Sequence, residues 1–176
     1  MNTLDYLRAE RRRLHEALRF TVSDLTTEEW HFTIPSMGNH IAFLMWHLVR
    51  TEDNVLNPVL QGQRPVWKQE NWHERLALPP RLQGTGMSTE EAIALHINDP
   101  ALFMEYTEHV WQASEHYLSS ISDGGALLSQ RMITLEPLGE RSALELIGHT
   151  CLLHPFLHLG EITLLRGALG KQGFPI

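Results

Sequence analysis

The stretch Gly38–Asn57, GNHIAFLMWHLVRTEDNVLN, decides the fold of this chain of 176 residues. Its apolar side chains between positions 41 and 49 do not form a single stripe, as they would on a helix at the protein surface. They cover more than one side, which predicts a helix that is either deeply buried or carries an additional contact surface.

Residue types that are common at helix ends mark the two ends of this helix. Ser36 is the predicted N-cap, and Gly62 is the predicted C-terminal stop. Pro58 has no backbone N–H and lies inside the pattern, so it is expected to kink or end the helix near Asn57.

Three other long helices are predicted on the two sides of this stretch, each with an apolar stripe or a recognisable start. Their expected spans are 4–22, from Asp99-Pro100 to the stop at Asp123-Gly124-Gly125, and from Ser142 to about Gly167–Gly170. Capping boxes, in which Ser or Thr is followed three residues later by Glu, mark one of these starts and two short helices. The three boxes are Thr26 with Glu29, Ser88 with Glu91, and Ser142 with Glu145.

Residues 62–87 are the least regular part of the sequence and form a long connection. Connections of this length in compact domains often cover functional sites. The interpretation that we favour is that Trp67 and Trp72 pack on the helices as core residues instead. Residues 127–142 lack a helical period, and a short extended segment is expected there.

Together these elements predict an all-α fold, a four-helix bundle with a long crossover between helices 2 and 3. Strand-like segments are too few for a fold that is built on a sheet. The length suits a single domain, which would span residues 1–176.

The composition narrows the range of functions. With 14 lysines and arginines against 21 aspartates and glutamates, the net charge is −7, which disfavours binding to nucleic acid. The single cysteine, Cys151, can form no internal disulfide and fits a reducing compartment. The N-terminus lacks the apolar core of a signal peptide and no apolar run is long enough to cross a membrane, so we expect a cytoplasmic protein with no membrane partner.

The candidate chemistry lies in the segment HPFLHLGE, residues 154–161. At about 100° per residue on a helix, His154, His158 and Glu161 share one stripe, whereas His149 points to nearly the opposite side. Two histidines four residues apart on one face can bind one metal ion, and a third ligand must then come from another helix. Glu161 could orient a ligand or take up a proton, although a supporting or surface carboxylate is the favoured interpretation.

His47 is the best candidate for the third ligand, because it lies in the most apolar part of the chain, where an unpaired imidazole would be costly. His40, seven residues earlier on roughly the same face, is the rival, but it is nearer the helix start and is expected to be exposed. An ordinary core or boundary histidine is the alternative for each position. The remaining histidines are expected at the surface or its boundary: His15, His31, His73, His96, His109 and His116.

Other catalytic patterns are absent from the sequence. It has no G-x-S-x-G nucleophile motif, no glycine-rich phosphate loop and no dinucleotide fingerprint. Cys151 is expected to be a buried, inert thiol rather than a nucleophile.

The segments GNHIAFLMWHLVRTEDNVLN and HPFLHLGEITLLRG resemble the second and the closing helix of the DinB-like superfamily, a family of metal-binding four-helix bundles. The resemblance implies three metal ligands, His47, His154 and His158, and a divalent ion that is commonly zinc or nickel. It also implies that dimers are common. Some relatives are transferases or isomerases that use a low-molecular-weight thiol such as bacillithiol, mycothiol or glutathione.

Two positions depart from the family pattern. The family often has a histidine directly before the last ligand, where this chain has Leu157. Pro155 lies between the two ligands of the closing helix and cannot donate a hydrogen bond to the carbonyl of Cys151. A bend in this helix is therefore expected, and it would change the angle between the two imidazoles.

The function that the resemblance implies is thiol-dependent transfer or isomerisation of an unidentified small molecule at a three-histidine metal site. Metal-assisted hydrolysis is the second enzymatic possibility. A non-catalytic binding or stress-response module, with an empty or vestigial metal site, is the alternative of a different class.

Overall fold

The structure is a computed structural model that describes residues 1–35 and 38–174. None of the helices in these ranges is both long enough and apolar enough to cross a membrane. The elements, in chain order, are α1 (Thr3–Val22), α2 (Thr27–Trp30), α3 (Ile41–Asn54) with a π-helical turn (Val55–Val59), α4 (Val66–Gln69), α5 (Trp72–Arg75), α6 (Thr89–Ala94), α7 (Pro100–Ser120), α8 (Ala126–Gln130), β1 (Met132–Leu135), β2 (Gly139–Ser142), α9 (Ala143–Gly148), a second π-helical turn (His149–Leu153) and α10 (His154–Ala168).

Four long helical units form a bundle, as the sequence predicts. They are α1, α3 with the first π turn, α7, and the continuous run of α9, the second π turn and α10. Helix α3 packs against α7 and α10, and Ile41, Leu44 and Trp46 on it are completely buried. The predictions of an all-α fold and of a buried second helix are therefore confirmed.

Helix α3 begins at Ile41, and its N-cap is His40. The Nδ1 atom of His40 accepts a hydrogen bond from the N–H of Phe43 at 3.0 Å, and Nε2 donates to the carbonyl of Ile93 at 3.3 Å. Because the chain around Ile93 covers it, His40 is only 1% exposed, and the expectation of a surface position is wrong. The predicted N-cap, Ser36, lies outside the described residues.

The far end of this helix continues past Pro58. Because a proline has no N–H to donate, the regular hydrogen-bond ladder cannot pass through it, and the chain forms a π-helical turn over Val55–Val59 instead of ending. The helix extends to Gln61 and stops at Gly62, whose φ of +67° is the left-handed conformation that glycine favours. The predicted stop at Gly62 is confirmed. Of the two outcomes expected at Pro58, an end near Asn57 is wrong, and the helix is instead distorted there by the π turn.

The other helix boundaries agree closely with the sequence. The first helix has its predicted span to within one residue, and all three capping boxes are present. Helix α7 starts at Pro100 with Asp99 as its N-cap, as predicted, and ends at Ser120, shortly before the predicted stop at Asp123-Gly124-Gly125. Helix α8 is short and has no predicted counterpart.

The extended segment expected between the third and fourth long helices is an antiparallel hairpin, β1–β2. Met132 pairs with Ser142 at its open end, and Leu135 pairs with Gly139 next to the turn. The hairpin leads directly into α9, and its turn lines a cavity that also borders His47 and His154.

The crossover, residues 62–87, is anchored in the core. Trp67 and Trp72 are completely buried, and their rings lie 4.8 and 5.7 Å from the ring of Tyr106 on α7. Asp53 of α3 accepts hydrogen bonds from two successive backbone N–H groups at the start of α4, at 2.8 and 2.9 Å. The interpretation of the two tryptophans as core residues is confirmed.

A buried ion pair joins α1 to α3. The guanidinium of Arg11 donates to one carboxylate oxygen of Glu52 at 2.8 Å, and Nε2 of His15 lies 3.3 Å from the other oxygen. Burial alone would raise the pKa of Glu52, but the charge of Arg11 and the contacts with His15 outweigh it and hold the pKa well below its usual range. His15 is 5% exposed, so the expectation of a surface or boundary position is wrong for this residue, which Glu52 draws into the core.

Candidate metal centre

Three histidines from two helices converge beside the centre of the bundle. His47 lies in the middle of α3, and His154 and His158 lie one turn apart at the start of α10. The Nε2 atom of His154 is 3.0 Å from Nε2 of His47 and 3.1 Å from Nε2 of His158. The structure thus brings together the three residues named from the sequence, whereas the rival, His40, is engaged at the start of α3.

Two of these rings are oriented by acceptors behind them. Nδ1 of His47 lies 2.5 Å from the carbonyl oxygen of Gln83, and Nδ1 of His158 lies 2.9 Å from a carboxylate oxygen of Glu161. A carbonyl can only accept, and the hydrogen bond with His158 lowers the pKa of Glu161, so its carboxylate also accepts. Each Nδ1 therefore carries a proton, and in the neutral ring each Nε2 presents its lone pair to His154.

Burial favours the neutral form of two of these imidazoles, those of His47 and His154, and only a neutral imidazole can bind a metal ion. It lowers the pKa of His47, and burial together with the neighbouring His47 and His158 lowers the pKa of His154 to about 3. Only a ring that is not protonated on Nε2 offers a lone pair there to a metal ion. Protons therefore compete little for His154 at neutral pH.

The geometry fits a divalent ion. Zinc–nitrogen bonds of about 2.0–2.1 Å in a tetrahedral site place two ligand nitrogens about 3.3 Å apart, within a few tenths of an ångström of the distances from His154 to His47 and to His158, and all three ligand atoms lie within 4.8 Å of one another. Hydrogen bonding alone does not explain the arrangement, because two lone pairs face Nε2 of His154, which has at most one proton to share between His47 and His158. Three protein ligands would leave open positions for a substrate.

The helix that carries His154 and His158 widens directly before them. Pro155 has no N–H, and the preceding residues His149–Leu153 form a π-helical turn, so the helix is disturbed at this proline by a wider turn. Along an α-helix His149 would point about 140° away from His154, but a π turn brings residues five apart onto nearly the same side. The ring of His149 lies 6.4 Å from that of His154 and lines the same cavity, so the expectation that it points away is wrong.

The end of the crossover covers His47. Gln83 supplies the carbonyl acceptor, and the next residue, Gly84, has a φ of +96°. A Cβ atom at Gly84 would lie 2.8 Å from Nδ1 of His47, too close for a side chain to fit. The crossover therefore both packs in the core and covers the site. The sequence marks its end only as a glycine-rich turn, because the contact with His47 joins residues far apart in the chain.

A cavity of about 480 Å³ opens beside the three histidines. Its walls come from α3 and its π turn, the end of the crossover, the turn of the hairpin and the second π turn. A cavity of this size suits a small molecule. Among the residues that line it are the apolar Phe43, Val55, Met87, Leu135 and Leu138, and the hydroxyl-bearing Thr51 and Thr150.

Two further residues that the sequence suggested for chemistry do not converge with the three imidazoles as ligands. One of them supports a histidine, and the other is buried in the core. The carboxylate of Glu161 is partly exposed and holds His158, in agreement with its favoured interpretation. Cys151 is buried, and burial raises the pKa of its thiol well above the usual value, which agrees with an inert thiol.

Comparisons with known proteins agree on the fold. A family model described as the DinB superfamily matches residues 6–162 of the chain. The crystal structure of a conserved protein from Enterococcus faecalis superposes with a TM-score of 0.79 at 21% sequence identity, covering 97% of this chain and 99% of that chain. At this identity the likeness shows the fold alone. No protein with a curated description matches the chain.

The contact between Gly84 and His47 predicts the effect of one methyl group. Gly84→Ala is expected to displace the imidazole of His47 and to weaken zinc binding by roughly 10–100-fold, the usual effect of disturbing a partner of a metal ligand. Competition with a chromophoric zinc chelator measures the affinity. Gly86→Ala is the matched control, because Gly86 also has a positive φ but nothing lies within 4 Å of its Cβ position. Equal zinc affinities of the two variants would contradict the prediction.

Proposed function

This chain belongs to the DinB superfamily, and from that premise we propose that it binds one divalent metal ion through His47, His154 and His158. The observation that carries the proposal is the convergence of three Nε2 atoms, two of them with lone pairs fixed by acceptors on Nδ1. Imidazole nitrogen is a ligand that suits both zinc and nickel, and the family resemblance implies one of these two metals.

We propose further that the site catalyses thiol-dependent S-transfer or isomerisation of a small molecule. When bound, the ion supplies Lewis acidity, which makes a thiol or a water molecule a better nucleophile at neutral pH. The chain's own residues hold the three imidazoles in place, and the crossover keeps bulk water from one side of His47. In transfer, the sulfur forms a bond to an electrophilic carbon, the leaving group departs with its electron pair, and the proton of the thiol passes to solvent.

Two alternatives follow from the same site. Metal-assisted hydrolysis would use water in place of the thiol. A non-catalytic binding or stress-response module would have the same fold with an empty or vestigial metal site. A cytoplasmic location is part of the proposal, and it is supported by the single free cysteine, Cys151, which suits a reducing compartment.

Metal analysis tests the proposed ligands. Protein prepared without a histidine tag, incubated with zinc or nickel and desalted, is expected to retain about one ion per chain by mass spectrometry, because the three imidazoles already lie together and two of them are oriented by acceptors on Nδ1. His47→Ala and His158→Ala should lose the ion. His116→Ala, at an exposed position on α7, is the control and should retain it. A wild-type protein that retains no metal, and whose melting temperature does not change when zinc is added, would exclude the metal site.

A thiol-dependence assay separates the three functions. The metal-loaded protein is expected to convert electrophilic substrates only when a low-molecular-weight thiol is present, and His154→Ala should abolish this rate. Product formation followed by mass spectrometry distinguishes the outcomes. Turnover without thiol would favour hydrolysis, and no turnover across a broad panel of substrates, with metal bound, would favour the non-catalytic module.

We also propose that the protein is a homodimer. Leu153, Leu157 and Leu164 form an apolar stripe on the last helical unit, with Phe156 beside it, and each of these side chains is about half exposed. Contiguous exposed apolar surface of this kind is typical of an interaction site rather than of a monomer surface. In a twofold dimer the same stripe would be buried on both subunits.

A charge in the middle of this stripe should separate the subunits. Leu157→Glu would place two carboxylates in the interface, so the variant is expected to be monomeric by light scattering coupled to gel filtration. Leu127→Glu, which changes an exposed leucine on α8, is the control and should remain dimeric. A monomeric wild type, or a Leu157→Glu variant that stays dimeric, would show that this stripe is not a dimer interface.

A further inference from the structure

Threonines beyond the first turn of the helical units divide into two groups. The hydroxyls of Thr21, Thr107 and Thr163 donate to a carbonyl three or four residues earlier in their helices, at 2.8–3.0 Å. This is the usual way in which a helical threonine satisfies its hydroxyl. The hydroxyl oxygens of Thr51 and Thr150 are buried and have no hydrogen-bond partner among the described residues.

The two exceptions line the cavity beside the three histidines. Within the described part of the chain, six buried side-chain polar atoms lack a partner, and three of them belong to residues on this cavity wall: Thr51, Thr150 and His154. Thr150 is only 1% exposed. A buried hydroxyl without a partner is unfavourable, so a polar atom of a ligand, or a water molecule, that hydrogen-bonds to it at this wall would be stabilised.

The position of Thr150 explains why its hydroxyl is free. It lies in the second π turn, where the carbonyls of the preceding helical turn are displaced from their α-helical positions. Thr51 lies on the last full turn of α3 before the first π turn. Both helical distortions therefore lie next to the threonines of the cavity wall whose hydroxyls have no partner among the described residues.

The rest of the wall has little charge. None of the residues that line the cavity in the described ranges is a lysine or an arginine. The one carboxylate on the lining, Glu136, belongs to the exposed turn of the hairpin. Phe43, Met87 and Leu138 supply apolar surface. A carboxylate or phosphate group beside these walls would lose its hydration with no side-chain cation to pair with it.

We propose that this cavity binds an uncharged, largely apolar molecule whose polar group, such as a carbonyl, amide or hydroxyl, is hydrogen-bonded by Thr51 and Thr150. The inference rests on the proposed function in one respect, namely that the reacting end of this molecule lies at the three histidines. The threonines and the apolar walls select the class of substrate, and the histidines act on it.

Binding of small probes tests the inference independently of any metal. In chelator-treated protein, where no ion can bind a carboxylate, benzamide is expected to bind at least tenfold more tightly than benzoate, a probe of nearly the same shape. Thr150→Val, which replaces the hydroxyl with a methyl group, should weaken benzamide binding roughly threefold to tenfold, the range for one hydrogen bond. Thr150→Ser should restore it. Ligand-observed NMR titrations give the dissociation constants.

Matched variants make the outcome decisive. Thr163→Val, on the exposed part of α10 with a hydroxyl that bonds its own helix, should bind benzamide like the wild type. Thr51→Val is the second test if Thr150→Val does not fold. Benzoate binding as tightly as benzamide, no benzamide binding at millimolar concentration, or equal affinities of the wild type and the valine variants would each overturn the inference. Failure of metal binding would overturn the proposed ligands and leave these results unchanged.

Discussion

The hydrogen bond between Nδ1 of His47 and the carbonyl of Gln83 joins α3, which carries one of the three candidate ligands, to the crossover that covers it. An imidazole in a bundle core needs a partner for its N–H, and the crossover provides one. That bond fixes the lone pair of Nε2 toward the last helical unit. The carbonyl can reach His47 only because Gly84 follows it and has no side chain. Trp67 and Trp72 anchor the crossover in the core and so help to hold this carbonyl in place. The packing of the crossover thus contributes to the geometry of the site.

Each ligand-bearing helical unit also contains a proline and a π turn near the site. Pro58 lies within the first π turn, and Pro155 follows directly after the second. In both places the helix continues. Proline cannot donate the regular i→i−4 hydrogen bond, and the wider π turn lets the neighbouring residues bond around it. The π turn changes the direction in which side chains point from the helix. As a result, the second π turn contributes two polar residues, His149 and Thr150, to the cavity wall.

The sequence predicts those features of the site that follow from local periodicity. The stripe of His154 and His158 needs only the 100° step of a helix, and the position of His47 follows from its apolar surroundings. The sequence fails where a contact joins distant parts of the chain. The burial of His40 depends on Ile93, and the approach of Gly84 to His47 depends on how the whole crossover packs. The direction of His149 is not predictable for another reason, since a proline predicts a disturbed helix but not which kind of turn replaces it.

His154 connects the metal site with the cavity. Its Nε2 faces the lone pairs of His47 and His158, so in the metal-free ring that atom carries the proton. A ring that binds an ion through Nε2 carries its proton on Nδ1 instead, and Nδ1 is buried without a partner among the described residues. A ligand that offers an acceptor to Nδ1 would stabilise this tautomer, and by linkage the ion would raise the affinity for that ligand. A neutral carbonyl oxygen is such an acceptor, and it is also a group that Thr51 and Thr150 can bind. The tautomer of one histidine and the free hydroxyls of two threonines thus favour the same class of ligand.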